Sequence, residues 1–143
     1  MFLKTDFDER MGQFSPDGRW VAYQSNESGR PEIYVRPFPG PGGQWQVSSA
    51  GGSQPRWGPG GGELYYIAPD ATLMASPIEA RGSTLEPGRP VALFAPRIVS
   101  AVPATNKQQY DVAPDGRFLI NVTAEDAATT PITLLLNWRP PEP

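Results

Sequence analysis

A chain of 143 residues, 38% hydrophobic and 19% charged, is long enough to bury one core and too short for two comfortable domains. Its net charge of −3 and singly scattered basic residues argue against a nucleic-acid partner, and its longest apolar stretches, such as Ile132 to Leu136, are far too short to span a bilayer. With no Cys and no His, disulfides, Ser-His-Asp and Cys-His catalysis and every zinc site built on thiolate or imidazole are excluded, and no cofactor is expected.

The 18 Pro and 15 Gly approach the level at which disorder becomes the default. Aromatic residues in short apolar runs between the Pro/Gly clusters oppose that reading and make the clusters turn punctuation in an all-β domain. At the start, Met1 to Lys4 leads into the acidic run Asp6 to Glu9, without the basic and apolar regions of a signal peptide. Phe2 to Thr5 reads as an orphan strand.

Three segments then repeat. Phe14-Ser15-Pro16-Asp17-Gly18-Arg19-Trp20-Val21, Trp57-Gly58-Pro59-Gly60-Gly61-Gly62-Glu63-Leu64 and Val112-Ala113-Pro114-Asp115-Gly116-Arg117-Phe118 each pass from an apolar residue through a Pro- and Gly-containing turn into a β-rich run. Their prolines are separated by 43 and 55 residues, the spacing of four-stranded propeller blades, the second with a longer loop. In these turns Pro pre-sets φ, Asp bonds back to the local backbone and Gly takes the left-handed conformation.

The first blade (residues 12–50) contains strands at Trp20 to Ser25, Glu32 to Arg36 and Gln44 to Val47, and the Gly/Ser-rich stretch Ser48 to Ser53 crosses to the second. The second (51–96) has strands at Gln54 to Trp57, Glu63 to Ala68, Leu73 to Glu79 and Val91 to Phe94, with Ala80 to Pro90 as a loop. The third (107–139) has strands at Gln109 to Val112, Arg117 to Val122 and Ile132 to Asn137. It lacks its outermost strand because Arg139 to Pro143 is too rich in Pro to pair. The expected fold is therefore a single partial β-propeller of about three four-stranded blades.

Phe14 to Arg19, Val21-Ala22-Tyr23 and Glu32-Ile33-Tyr34-Val35 resemble the repeat of TolB-type propellers. Tyr34 to Gly40 and Ile132 to Trp138 resemble the C-terminal, sensor-like propeller of some bacterial Ser/Thr protein kinases. That resemblance implies a propeller fragment and an extracytoplasmic or periplasmic origin. It implies no kinase activity, because the chain has no Gly-rich loop with a strand lysine, no His-Arg-Asp and no Asp-Phe-Gly.

Little else suggests chemistry. Gly58 to Gly62 lacks the Lys-Ser/Thr of a phosphate loop and leads into a strand. Asp17 and Asp115 belong to turns, and Asp6, Asp8 and Glu9 form a solvated acidic connector. Gln13, Arg56 and Asp111 stand out instead, each one residue before the apolar start of a repeat, on the innermost strand and facing away from it. They form a candidate binding site at the central channel, where a peptide, protein or small polar ligand would sit; the plainer reading gives them only bonds to neighbouring blades or water. The expected function is a non-enzymatic binding or interaction module. A carboxylate-dependent hydrolase acting on glycans is the alternative.

Three blades cannot close. A homodimer would supply a six-bladed ring, with Phe2 to Thr5 of each chain beside Ile132 to Asn137 of the other. The competing account places the missing blades in the same parent chain.

Overall fold

The computed structural model describes residues 5–98 and 107–122, and the backbone of Thr133–Leu135. Among these residues the protein is all-β without helices, built from antiparallel sheets. The first sheet is a meander of β1 (Arg10–Phe14), β2 (Trp20–Ser25), β3 (Glu32–Pro37) and β4 (Trp45–Gln46), in that order. The second holds β5 (Ser53–Trp57), β6 (Glu63–Ile67), β7 (Leu73–Arg81), β8 (Thr84–Pro87) and β9 (Val91–Phe94). The third holds β10 (Tyr110–Val112), β11 (Phe118–Ile120) and β12 (Thr133–Leu135). No sheet closes on itself. Phe2, Leu3 and Lys4 of the expected orphan strand, and Trp138, lie outside the described residues.

The repeated turns do what their residues dictate. Gly18, Gly61 and Gly116 have φ of 70°, 71° and 81°, and each donates its N–H back to the residue opening the turn: Ser15, Gly58 and Ala113. Each turn joins the first two strands of its sheet, pairing Phe14 with Val21, Trp57 with Leu64 and Val112 with Phe118. The third turn is one residue tighter: Ala113 N–H reaches Arg117 O, whereas Ser15 reaches Trp20 and Gly58 reaches Glu63.

The sheets lie face to face, with β5 against β1, β2 and β3, and β10 against β5. Between the first and second sheets Trp20, Ala22, Ile33, Val35, Trp57, Leu64 and Tyr66 form one core. Between the second and third, Tyr65, Ile67, Leu73, Tyr110, Phe118 and Ile120 form another. Alternation along β6 divides its side chains: Leu64 and Tyr66 face one core, Tyr65 and Ile67 the other.

The crossing from the first sheet to the second is set by a buried carboxylate. Glu32, 1% exposed, accepts hydrogen bonds from the Ser48 hydroxyl and the Gly51 N–H and pairs with Arg30 at 2.7 Å. Ser48 Oγ in turn accepts the Ile33 N–H at 2.8 Å. Gly52 has no room for a side chain there, since a Cβ would stand 2.7 Å from Ser48 Oγ and 2.9 Å from Ile33 Cγ1.

One expectation is corrected. Ala80 to Pro90 is not simply a loop: β7 continues to Arg81, turns at Gly82 (φ 63°) and returns as β8. Ile78 and Leu85 are both buried in the core between the first two sheets, and β8 lies against β4. Burial of these two side chains offsets the entropy lost in ordering the hairpin, although Glu79, Arg81 and Glu86 around them are exposed. β7 therefore pairs with β9 through Leu73–Ala75 and with β8 through Ile78–Arg81, giving this sheet five strands where four were expected.

The turns generate two predictions. Nothing lies within 4 Å of a Cβ built on Gly18 or Gly116, so a side chain there meets only backbone strain. Gly18→Val or Gly116→Val should lower unfolding free energy by about 1–3 kcal/mol in urea titrations, and Asp17→Asn or Asp115→Asn should lower it less. The second concerns pH. The Ser15 hydroxyl, then the Arg19 N–H, holds the Asp17 carboxyl below its usual range, and the Arg117 N–H does the same for Asp115. Such groups stabilise the fold above their unfolded pKa, and the contribution vanishes as pH falls through the lowered folded value. The urea midpoint should therefore drop between about pH 5 and pH 2, and the doubly substituted D17N/D115N chain should show a shallower drop.

Candidate functional site

The three polar positions singled out by the repeat come together. Gln13 on β1, Arg56 on β5 and Asp111 on β10 stand on the first strands of three successive sheets. Arg56 Nη1 donates to Gln13 Oε1, and Arg56 Nε lies 3.2 Å from Asp111 Oδ1. The second contact is coulombic, because the buried Nε–H makes no hydrogen bond. The guanidinium side chain is 19% exposed and the Asp111 side chain 65%, so the line of contacts runs from half-buried to open. A half-buried guanidinium between an amide oxygen and a carboxylate is partly neutralised and still keeps donors for an acceptor group.

Local backbone geometry aims these side chains. Between Arg10 and Gln13, and again between Ser53 and Arg56, the pairing register shifts. Met11 and Gln54, at the same repeat position, carry φ of 56° and 57° within those bulges. A bulge kinks the strand and redirects the residues beyond it, here placing Gln13 and Arg56 toward the next sheet. In the third sheet the pairing starts only at Tyr110, one residue after the corresponding Gln109.

The bulge also exposes backbone that the neighbouring sheet uses. Trp57 Nε1 donates to Gln13 O at 3.1 Å, and Tyr110 Oη donates to Gln54 O at 2.8 Å. Gln54, fully buried, meets Gln109 through both amide atoms: its Oε1 accepts the Gln109 N–H at 2.8 Å and its Nε2 donates to Gln109 Oε1 at 3.0 Å. Complete burial pushes the Tyr110 hydroxyl well above its usual pKa, Arg56 acting weakly the other way. Gln54, Gln109, Trp57 and Tyr110 were not anticipated as a group. The available signal was that Gln54 and Gln109 stand two residues before Arg56 and Asp111.

The other candidates are placed more simply. Asp17 and Asp115 accept turn N–H groups of Arg19 and Arg117, and Asp8 pairs with Arg10 at 2.5 Å. Among the described residues, no group of three or more Asp and Glu could hold a metal ion. Three surface depressions lie away from the trio. One, of about 500 Å³, is lined by Phe7, Glu27, Ser28, Tyr34, Gln44 and Gln46. Another, of about 450 Å³, lies between Pro16 and Gly61 at the turn end of the first two sheets.

Set beside known proteins, the chain matches no family model, and no curated protein matches its sequence.

The inter-sheet bonds lead to a prediction. Tyr110→Phe removes the hydroxyl that donates to the buried Gln54 O. It should cost about 1–3 kcal/mol in chemical denaturation and leave the far-ultraviolet spectrum unchanged.

Proposed function

We propose that the chain is a partial propeller of TolB-type blades acting as a non-enzymatic binding module, with its ligand held where the first strands of the sheets converge. The observation that carries this reading is the line Gln13–Arg56–Asp111, one residue from each sheet at the same repeat position. The stacking of successive meanders and the recurrence of one turn at the head of each support the blade reading.

The chemistry of the line favours a short peptide segment. Arg56 offers donors to a carbonyl or carboxylate, Asp111 accepts from an amide or amine, and Gln13 does both. That mixture matches successive peptide groups better than it matches a uniformly anionic ligand. Catalysis has less to stand on, because several carboxylates are engaged in turns or ion pairs.

Panning a random hexapeptide display library against the purified chain tests this. Selected peptides should bind the parent protein and lose at least about tenfold in affinity for Arg56→Met or Asp111→Asn, a loss of about 1.4 kcal/mol or more. Circular dichroism must show both variants folded. Failure to enrich any sequence, or enriched peptides indifferent to both substitutions, would remove the proposed site.

A further inference from the structure

Equivalent positions in the three sheets differ in one respect, their exposure, and the difference falls at the two ends of the array. Phe14, Trp57 and Val112 end the first strand of each sheet, paired with Val21, Leu64 and Phe118. Trp57 is 8% exposed because the first sheet covers it, and Val112 packs into the core against the second. Among the described residues no sheet covers Phe14, which is 59% exposed.

The opposite face shows the converse. Ala22, Tyr65 and Leu119 each follow those paired positions by one residue, so they face the next sheet. Ala22 is 0% and Tyr65 7% exposed, each covered by the sheet that follows. Leu119 is 47% exposed. At the two covered seams the facing positions are Trp57 with Ala22, and Val112 with Tyr65. The remaining combination of the series is Phe14 with Leu119.

Polar groups at the ends complement each other in the same sense. The line begins at Gln13, whose amide nitrogen makes no hydrogen bond to a described residue, although its oxygen accepts from Arg56. It ends at Asp111, whose Oδ1 meets Arg56 and the Val112 N–H and whose Oδ2 has no partner among the described residues. Among the described residues, a donor without a partner stands at one end and an acceptor without one at the other.

We propose that a second copy of this chain covers both ends. The third sheet of each copy packs on the first sheet of the other, Leu119 against Phe14 and Asp111 toward Gln13. This rests on the propeller reading and adds to it. The binding line of one chain is then half of a ring of six polar side chains, incomplete without the Gln13 of the second copy. Two identical seams related by a two-fold axis give six sheets, within the usual range of roughly four to eight, whereas three copies would give nine. Covering the exposed apolar side chains Phe14 and Leu119 favours this closed arrangement over leaving both in water.

Multi-angle light scattering at micromolar concentration should return twice the chain mass. Phe14→Glu alone and Leu119→Lys alone should each give the single-chain mass, with near-ultraviolet circular dichroism confirming that both remain folded. The F14E/L119K chain carries opposite charges at each seam and should dimerise again. Phe14→Ser and Leu119→Ser serve should the charged variants misfold. A folded monomeric parent chain, another stoichiometry, single variants that stay dimeric, or a double variant that stays monomeric would overturn the proposal. Small-angle scattering separates the two layers of inference. A monomer whose profile fits a three-sheet arc removes the dimer alone, and one that does not fit removes the propeller reading as well.

Discussion

A sheet of three or four short strands cannot bury both of its faces by itself, and the rest of this structure depends on that constraint. β6 makes it concrete: four consecutive residues supply two cores, Leu64 and Tyr66 to one and Tyr65 and Ile67 to the other. A strand of this kind is stable only between two neighbours. The first strands of the sheets lie close together, which brings their polar side chains and bulged backbone within bonding distance. The candidate site is a consequence of stacking, since each sheet contributes one residue from its first strand.

Stacking by apolar contact alone would leave the relative position of the sheets loosely specified. The polar bonds remove that freedom. Gln54 sits at positive φ, exposes its own carbonyl to Tyr110 and engages both amide atoms with Gln109. A buried amide pair of this geometry adds little net stability over an apolar pair of the same shape. Its partners are directional, however, so a slip of the third sheet by one residue would break both hydrogen bonds between Gln54 and Gln109. The cost of that slip is what fixes the register.

Much of this was legible in the residues. Trp20–Ser25 and Val91–Phe94 have the bounds expected of them, because Pro/Gly clusters mark where pairing must stop. The equivalence of Gln13, Arg56 and Asp111 was visible too, since the repeat sets a common origin from which inner-strand positions can be counted. What escaped had physical reasons. The β7–β8 hairpin hides in a segment whose alternation is carried by only Ile78 and Leu85, set among charged residues, and its apolar partner is another sheet distant in sequence. The tighter third turn escaped because the Pro-Asp-Gly letters align perfectly while the hydrogen bond closing the turn shifts by one residue. Letters report turn chemistry; register depends on where the strands resume pairing.

The buried Glu32 shows how the repeat is converted into a rise from one sheet to the next. A carboxylate 1% exposed is tolerated only with several donors, and here Ser48, Gly51 and Arg30 provide them. Each donor belongs to the turn before β3 or to the crossing after β4, so satisfying the charge folds the crossing back over the first sheet. Gly52 N–H then bonds Pro31 O at 2.9 Å, and β5 starts at Ser53 beside β1. Removing the carboxylate would free the crossing, and with it the placement of Arg56 relative to Gln13. Glu32 thus acts at a distance on the line of Gln13, Arg56 and Asp111: it determines where the next sheet begins, and that origin decides which side chains meet there.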